Sequence, residues 1–235
     1  MLSESKIASN WLRLSEQVSQ TAIDSGRNPE DITIIAVSKK QPLQAIQFAY
    51  NAGARVFGEN YAQEFREKTH EAESLQFFPE WHFIGSLQSN KAKYIVPKAQ
   101  LIHSCSSLSL AEELQKLALK HNVDVSVLVQ INTSGESSKS GIQPEQARDF
   151  IGKLLDFSQL HVRGLMTLPT ASEEENIVRG EFALLKKMQE KLLNSHERLK
   201  DFTVLSMGMS GDFPWAIQEG ATHIRVGTAI FGERT

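Results

Sequence analysis

A chain of 235 residues with 40% hydrophobic and 23% charged side chains and a formal charge of −3 has the composition of a soluble globular protein. It has no electrostatic pull toward nucleic acid or an anionic bilayer. No apolar run approaches the roughly 20 residues that span a membrane, the opening Met1-Leu2-Ser3-Glu4-Ser5-Lys6 lacks a signal-peptide pattern, and the lone Cys105 excludes an intrachain disulfide. A cytoplasmic protein is the expectation, with neither nucleic acid nor membrane as partner.

Ile7, Trp11, Leu14 and Val18 recur at helical spacing and predict an opening helix with one apolar stripe. A β-branched run at 32–37 follows, too short for a helix and apolar on both faces. The next helix is predicted from Pro42, suited to a first helical turn, to Gly53, a helix stop. The alternation continues with a strand at 55–58, a helix at 61–73, a strand at 81–84 and a short helix at 90–95. A strand at 101–103 leads to a helix at 108–121 carrying Leu110, Leu114 and Leu117. A strand at 125–131 runs into the polar loop 133–141 and a helix opened by Pro144. A strand at 161–165 precedes a long helix striped by Val178, Phe182, Leu185, Met188 and Leu192. A strand at 203–205, a short helix at 215–219 and a strand at 223–226 complete the chain.

About eight strand–helix units after a leading helix, with near-continuously apolar strands, predict a parallel sheet covered by helices. In this length the reading is a single (β/α)8 TIM barrel spanning 1–235. An open doubly wound sheet is the alternative, disfavoured because no glycine-rich dinucleotide fingerprint follows the first strand.

Functional groups of such a barrel gather where the strands end. Those ends carry Lys39, Glu59-Asn60, Gly85-Ser86, Ser104, Asn132, Met166-Thr167, Ser206 and Gly227-Thr228. Lys39 comes directly after an apolar strand. An amine losing solvent there becomes neutral more readily, and a neutral amine attacks an aldehyde. Taken alone, Lys39 reads more simply as a lysine reaching out to water. Lys40 would point to the opposite side if the strand persisted.

Late in the chain, Ser206-Met207-Gly208 and Gly227-Thr228 offer hydroxyls and glycine backbone suited to an anion, where barrels commonly bind phosphate. Arg225 shares a sheet face with Gly227 and needs an acceptor if buried. Glu59 or a heteroaromatic nitrogen of a ligand could supply it. His82 and His103 read as core or barrel-lining residues and Cys105 as a small buried side chain. The histidines lack the spacing of a zinc site. The loop 133–141 reads either as exposed polypeptide or as a mobile lid. An amine at one strand end and an anion cradle at two late ones suit pyridoxal 5'-phosphate (PLP). They also leave open a cofactor-free Schiff-base lyase with a phosphorylated substrate.

Several stretches together resemble the PLP homeostasis family, which is related to the N-terminal barrel of alanine racemase. The first are Ala36-Val37-Ser38-Lys39, Phe57-Gly58-Glu59-Asn60-Tyr61, His82-Phe83-Ile84-Gly85 and Leu87-Gln88-Ser89-Asn90-Lys91. Ile102-His103-Ser104, Asn132-Thr133-Ser134-Gly135, Lys139-Ser140-Gly141 and Arg163-Gly164-Leu165-Met166-Thr167 continue the match. The last are Leu205-Ser206-Met207-Gly208-Met209-Ser210 and Arg225-Val226-Gly227-Thr228-Ala229-Ile230-Phe231-Gly232. The resemblance implies a PLP aldimine on Lys39 and a phosphate held by Ser206, Gly227 and Thr228 with the Met207 backbone nearby. It further implies Asn60 by the ring hydroxyl, Met166 near the ring, and Arg225 facing the pyridine nitrogen. Ser86 and Cys105-Ser106 depart from the family pattern.

Arginine at that nitrogen disfavours its protonation and weakens PLP as an electron sink. The chain ends directly after the last strand, so the second domain of alanine-racemase-like enzymes, with its base and dimer surface, is expected to be missing. The expected function is therefore that of a monomeric, non-catalytic PLP carrier, in transient contact with apo PLP-dependent enzymes. The alternative is a racemase-like enzyme of low activity.

Overall fold

The structure, a computed structural model, describes residues 2–136, 139–193 and 195–233. Ser137 and Ser138 of the polar loop, and Thr235 at the chain end, lie outside the described residues.

Eight parallel strands close into a barrel in sequence order. They are β1 (Thr33–Val37), β2 (Val56–Glu59), β3 (Glu80–Phe83), β4 (Leu101–Cys105), β5 (Val125–Ile131), β6 (Leu160–Thr167), β7 (Val204–Ser206) and β8 (His223–Val226). Closure is made by β1 against β8, with Thr33 opposite His223 and Ile35 opposite Arg225. The expected TIM barrel is the observed fold.

Between and around the strands lie α1 (Glu4–Asp24), α2 (Leu43–Asn51), α3 (Ala62–Ser74), α4 (Leu108–His121), α5 (Ala147–Leu154), α6 (Glu175–Leu193), α7 (Phe213–Gln218) and α8 (Thr228–Phe231). The Ser3 hydroxyl caps α1 by accepting from the Lys6 N–H, and the α1 stripe of Ile7, Trp11, Leu14 and Val18 is buried. The last helix is only one turn long. The leading helix packs against α2, α7 and α8 and covers that part of the wall. The Asn10 side-chain amide donates to the Ile230 carbonyl at 2.9 Å, tying α1 to the end of α8.

Several elements differ from expectation, three of them instructively. Pro42 caps α2 rather than lying in its first turn. Residues Ser89–Tyr94 form a 3-10 segment rather than an α-helix. The sixth strand extends past the expected 161–165 at both ends, to Leu160 and Thr167. Gly164 sits at a register shift, where a Cβ would lie 1.8 Å from the Val204 carbonyl oxygen. The glycine admits the neighbouring strand instead of ending its own.

Alternation separates two cores. Phe57, Phe83, Ile102, Val129, Leu165 and Leu205 face outward into the helix shell. Inside the barrel, Leu101, Leu128 and Met166 make a small apolar cluster with Val204. Next to it the interior is polar: His82, His103, Ser206 and Arg225 are all buried.

Candidate functional site at the C-terminal rim

Lys39 follows β1 by two residues and is half-buried. Because β1 lies between β2 and β8, Lys39 emerges between the exits that carry Asn60 and Gly227. The strand does not persist to Lys40. That residue adopts a left-handed conformation with φ 62°, so a tight turn rather than strand alternation sets the two lysines apart.

This turn is held from below by charge. The buried Ser38 hydroxyl donates to Glu59 Oε1 at 2.6 Å, and Lys68 Nζ donates to the Ser38 carbonyl and to Glu59 Oε1, each at 2.7 Å. Lys68 also reaches Glu64 Oε1 at 2.7 Å, and the same oxygen accepts the Lys40 N–H. Burial raises the Glu59 carboxyl above its ordinary value, against the pull of Lys68. Glu59 is therefore not the acceptor for Arg225, as the sequence allowed. Its side chain faces α3, whereas Arg225 points into the barrel.

Arg225 is 4% exposed. Its Nη1 donates to Ser206 Oγ and its Nη2 to the Thr167 carbonyl, both at 2.7 Å. Burial lowers its pKa to about 10, with Asp212 pulling the other way. Dipoles of a hydroxyl and a carbonyl, rather than a directly bonded carboxylate, hold this guanidinium.

Asn60 is half-buried just beyond β2, and its Oδ1 is buried with no partner among the described residues. Gly85 lets the β3 exit pass against it: a Cβ there would lie 2.1 Å from the Asn60 carbonyl oxygen. Met166 is 1% exposed, and its side chain packs inside the barrel on Leu101, Leu128 and Val204.

Two late strand ends form the candidate anion cradle. The Met207 N–H is committed to the His223 carbonyl at 3.1 Å, so this residue offers position rather than a free donor. Gly208 has φ 92°, and a Cβ would press to 2.5 Å on the Ala216 Cβ. Gly227 caps α8, whose first-turn N–H groups have no intrahelical acceptor by geometry. The exposed Thr228 hydroxyl meets Ser210 Oγ at 3.0 Å. Ser210 was missed as a site candidate although it lies within the matched motif. Its pairing with Thr228 has no signal in sequence spacing.

Elsewhere the chemistry is quiet. Burial pushes the Cys105 thiol up to about 12, so no thiolate is on offer. No group of metal-ligating side chains occurs among the described residues. No helix among them is long and apolar enough to cross a membrane. The described part of the polar loop is fastened down, with Lys139 Nζ donating to the Pro169 carbonyl at 3.0 Å and Asn132 Nδ2 to the Glu136 carbonyl at 2.8 Å.

A closed barrel with a strand-end lysine beside a glycine-lined strand exit defines a class. The chain belongs to the alanine racemase N-terminal domain family, matched over residues 4–235, and within it to the pyridoxal phosphate homeostasis proteins. It is 40% identical over 222 residues to the pyridoxal phosphate homeostasis protein of Aquifex aeolicus, covering 94% of this chain and 96% of that one. The protein of that name from Escherichia coli K12 is 39% identical over 229 residues, covering 97% of each. PipY of Synechococcus elongatus, with PLP bound, superimposes with a TM-score of 0.84 at 36% identity, over 96% of this chain and 100% of that one. Alanine racemase of Corynebacterium glutamicum shares the fold alone, with a TM-score of 0.72 at 16% identity over 98% of this chain and 62% of that one.

Proposed function

We propose that this protein binds PLP at the C-terminal rim and serves as a carrier, holding the cofactor and passing it to apo PLP-dependent enzymes without turnover of its own. The observation that carries the reading is Arg225. It is a buried guanidinium fixed at both ends, on Ser206 and on the Thr167 carbonyl, at the rim that also bears Lys39. The unpartnered Asn60 Oδ1 and the close passage at Gly85 fit an aromatic ligand with a hydroxyl to offer.

In this reading Lys39 supplies the amine, Asn60 takes the ring hydroxyl, and Met166 closes the floor beneath the ring. Ser206, Gly227 and Thr228 hold the phosphate, with Ser210 added to them and Met207 shaping the turn. PLP, when bound, supplies an aldehyde that condenses reversibly with an amine and a ring that withdraws electrons. Arg225 keeps a positive charge near the ring nitrogen, which opposes its protonation and restrains that withdrawal. The bound PLP named for PipY and the shared name of the relatives support the cofactor.

Borohydride reduction of the PLP-loaded protein, followed by peptide mapping, tests the anchor. The adduct is expected on Lys39 and is expected to vanish in Lys39→Ala while the barrel still folds; recovery on Lys40 or Lys139 defeats the assignment. Pyridoxal lacking its phosphate should bind far more weakly than PLP, and equal affinity would remove the cradle. Rapid racemisation of alanine by the loaded protein would replace the carrier with an enzyme.

A further inference from the structure

A column of hydrogen bonds crosses the barrel interior from rim to rim. Glu80, which opens β3 at the N-terminal rim, places Oε1 3.0 Å from His82 Nε2. His82 Nδ1 lies 3.0 Å from His103 Nε2, and His103 Nδ1 lies 2.9 Å from Ser206 Oγ. Ser206 closes β7 at the opposite rim and accepts from Arg225. Beside this column lie the apolar cluster of Leu101, Leu128 and Met166 and the His223 ring, stacked on His82, and the roles assigned so far do not use the two imidazoles.

Each ring nitrogen in the column has one partner, so with His103 neutral and Glu80 ionised only two proton arrangements satisfy every group. With both rings neutral, the Ser206 hydrogen goes to His103 Nδ1. His103 then donates from Nε2 to His82, and His82 from Nε2 to the Glu80 carboxylate. With one more proton on His82, that ring donates at both nitrogens. His103 must then accept at Nε2 and donate from Nδ1, and Ser206 accepts from both His103 and Arg225. Its own hydrogen is left free to turn toward the rim.

We propose that Glu80, His82 and His103 are positioning residues that aim the Ser206 hydroxyl, so that proton uptake at His82 and anion binding at the C-terminal rim favour one another. This rests on the reading that Ser206 meets the phosphate of PLP. The coupling is reciprocal by thermodynamic necessity. The charged and titratable groups facing His82 are Glu80 on its own strand, His103 on β4 and His223 on β8, and Arg225 on β8 acts in turn on His103 and His223. Of these Glu80 alone is an acid, and its Oε1 is the partner of His82 Nε2. His103 is held well below its usual range, first by burial and then by His82, His223 and Arg225. It therefore changes tautomer rather than charge.

Nitrogen-15 NMR of the histidine rings reads this directly. In the unloaded protein at about pH 8, His103 is expected as the Nε2–H tautomer. Acidification to about pH 5.5, or loading with PLP, should convert it to Nδ1–H. Glu80→Gln, at a residue outside the binding site, should suppress the conversion on loading and weaken PLP binding about fivefold. A His103 ring that keeps one tautomer across acidification overturns the proposal. So does a Glu80→Gln variant with unaltered conversion and affinity. Absence of the reduced adduct on Lys39 would instead defeat the cofactor reading, and the acidification result then decides the column by itself.

Discussion

Lys68 and Glu59 show how much of a ligand site is built out of its sight. Lys68 was not singled out in the sequence, and Glu59 only as a strand-end residue and a candidate acceptor for Arg225, yet together they fix the residue before Lys39. An acid raised by burial is favoured in its protonated form by folding. Its contribution is complete below the ordinary value of 4.5 and is lost as pH climbs through the raised one. Lys68→Met removes the pull that opposes this rise. It should destabilise the fold by about 3–5 kcal/mol when Glu59 is charged, and progressively less as Glu59 is protonated. Urea midpoints of variant and parent between pH 4 and 8 would show the gap widening with pH; a constant gap contradicts it. At Arg225 the sign of the charge is the point. Arg225→Glu should favour a protonated ring nitrogen, and the loaded variant should exchange the α-hydrogen of alanine in heavy water faster than the parent. Equal exchange at matched occupancy would show that Arg225 is not the restraint.

At the scale of elements, the strand exits are set by glycines that let backbones pass closely. Gly85→Ala places a methyl group against the Asn60 carbonyl, so the exits of β2 and β3 must part. The expected result is weaker PLP binding with the barrel retained by circular dichroism; unchanged affinity would mean that this approach is not needed. Such features explain what could be read beforehand. The bounds of α4, β5 and β8 follow from apolar runs with clear stops, since Ser107 caps α4 and Asn122 ends it in a left-handed conformation. The extension of β6 from Leu165 to Thr167 was not legible, because a threonine at the end of an apolar run looks in sequence like the start of a loop. The histidine column was hidden for another reason. His82, His103 and Ser206 stand 21 and 103 residues apart in turn, and only barrel closure brings them together. The strand-end positions of Lys39, Asn60 and Ser206 needed no such pairing, since the alternation of strand and helix already puts them on one rim.

For the molecule as a whole, buried imidazoles set the response to acid. His223 is pushed down to about 3 from its usual 6.5, mainly by burial, and His103 well below the same value. Folding therefore favours the neutral rings. Their contribution is complete above pH 6.5 and is lost as pH falls toward the depressed values. Stability to urea should decline below about pH 6.5, and His223→Gln should flatten that decline. An unchanged slope in the variant would show that its titration does not matter.

The pairing of β1 with β8 carries a further consequence for how this protein comes into being. The strand that precedes Lys39 gains its second neighbour only from the strand that bears Arg225, and α1 rests on α8. On a ribosome these partners emerge at opposite ends of synthesis, and contacts so remote are slow to form. Until β8 has left the exit tunnel, β1 is an open edge and the rim has no Arg225, Gly227 or Thr228. On the proposed assignment of the rim, a nascent chain thus cannot capture the cofactor as it grows; the ability to bind arrives with the last strand.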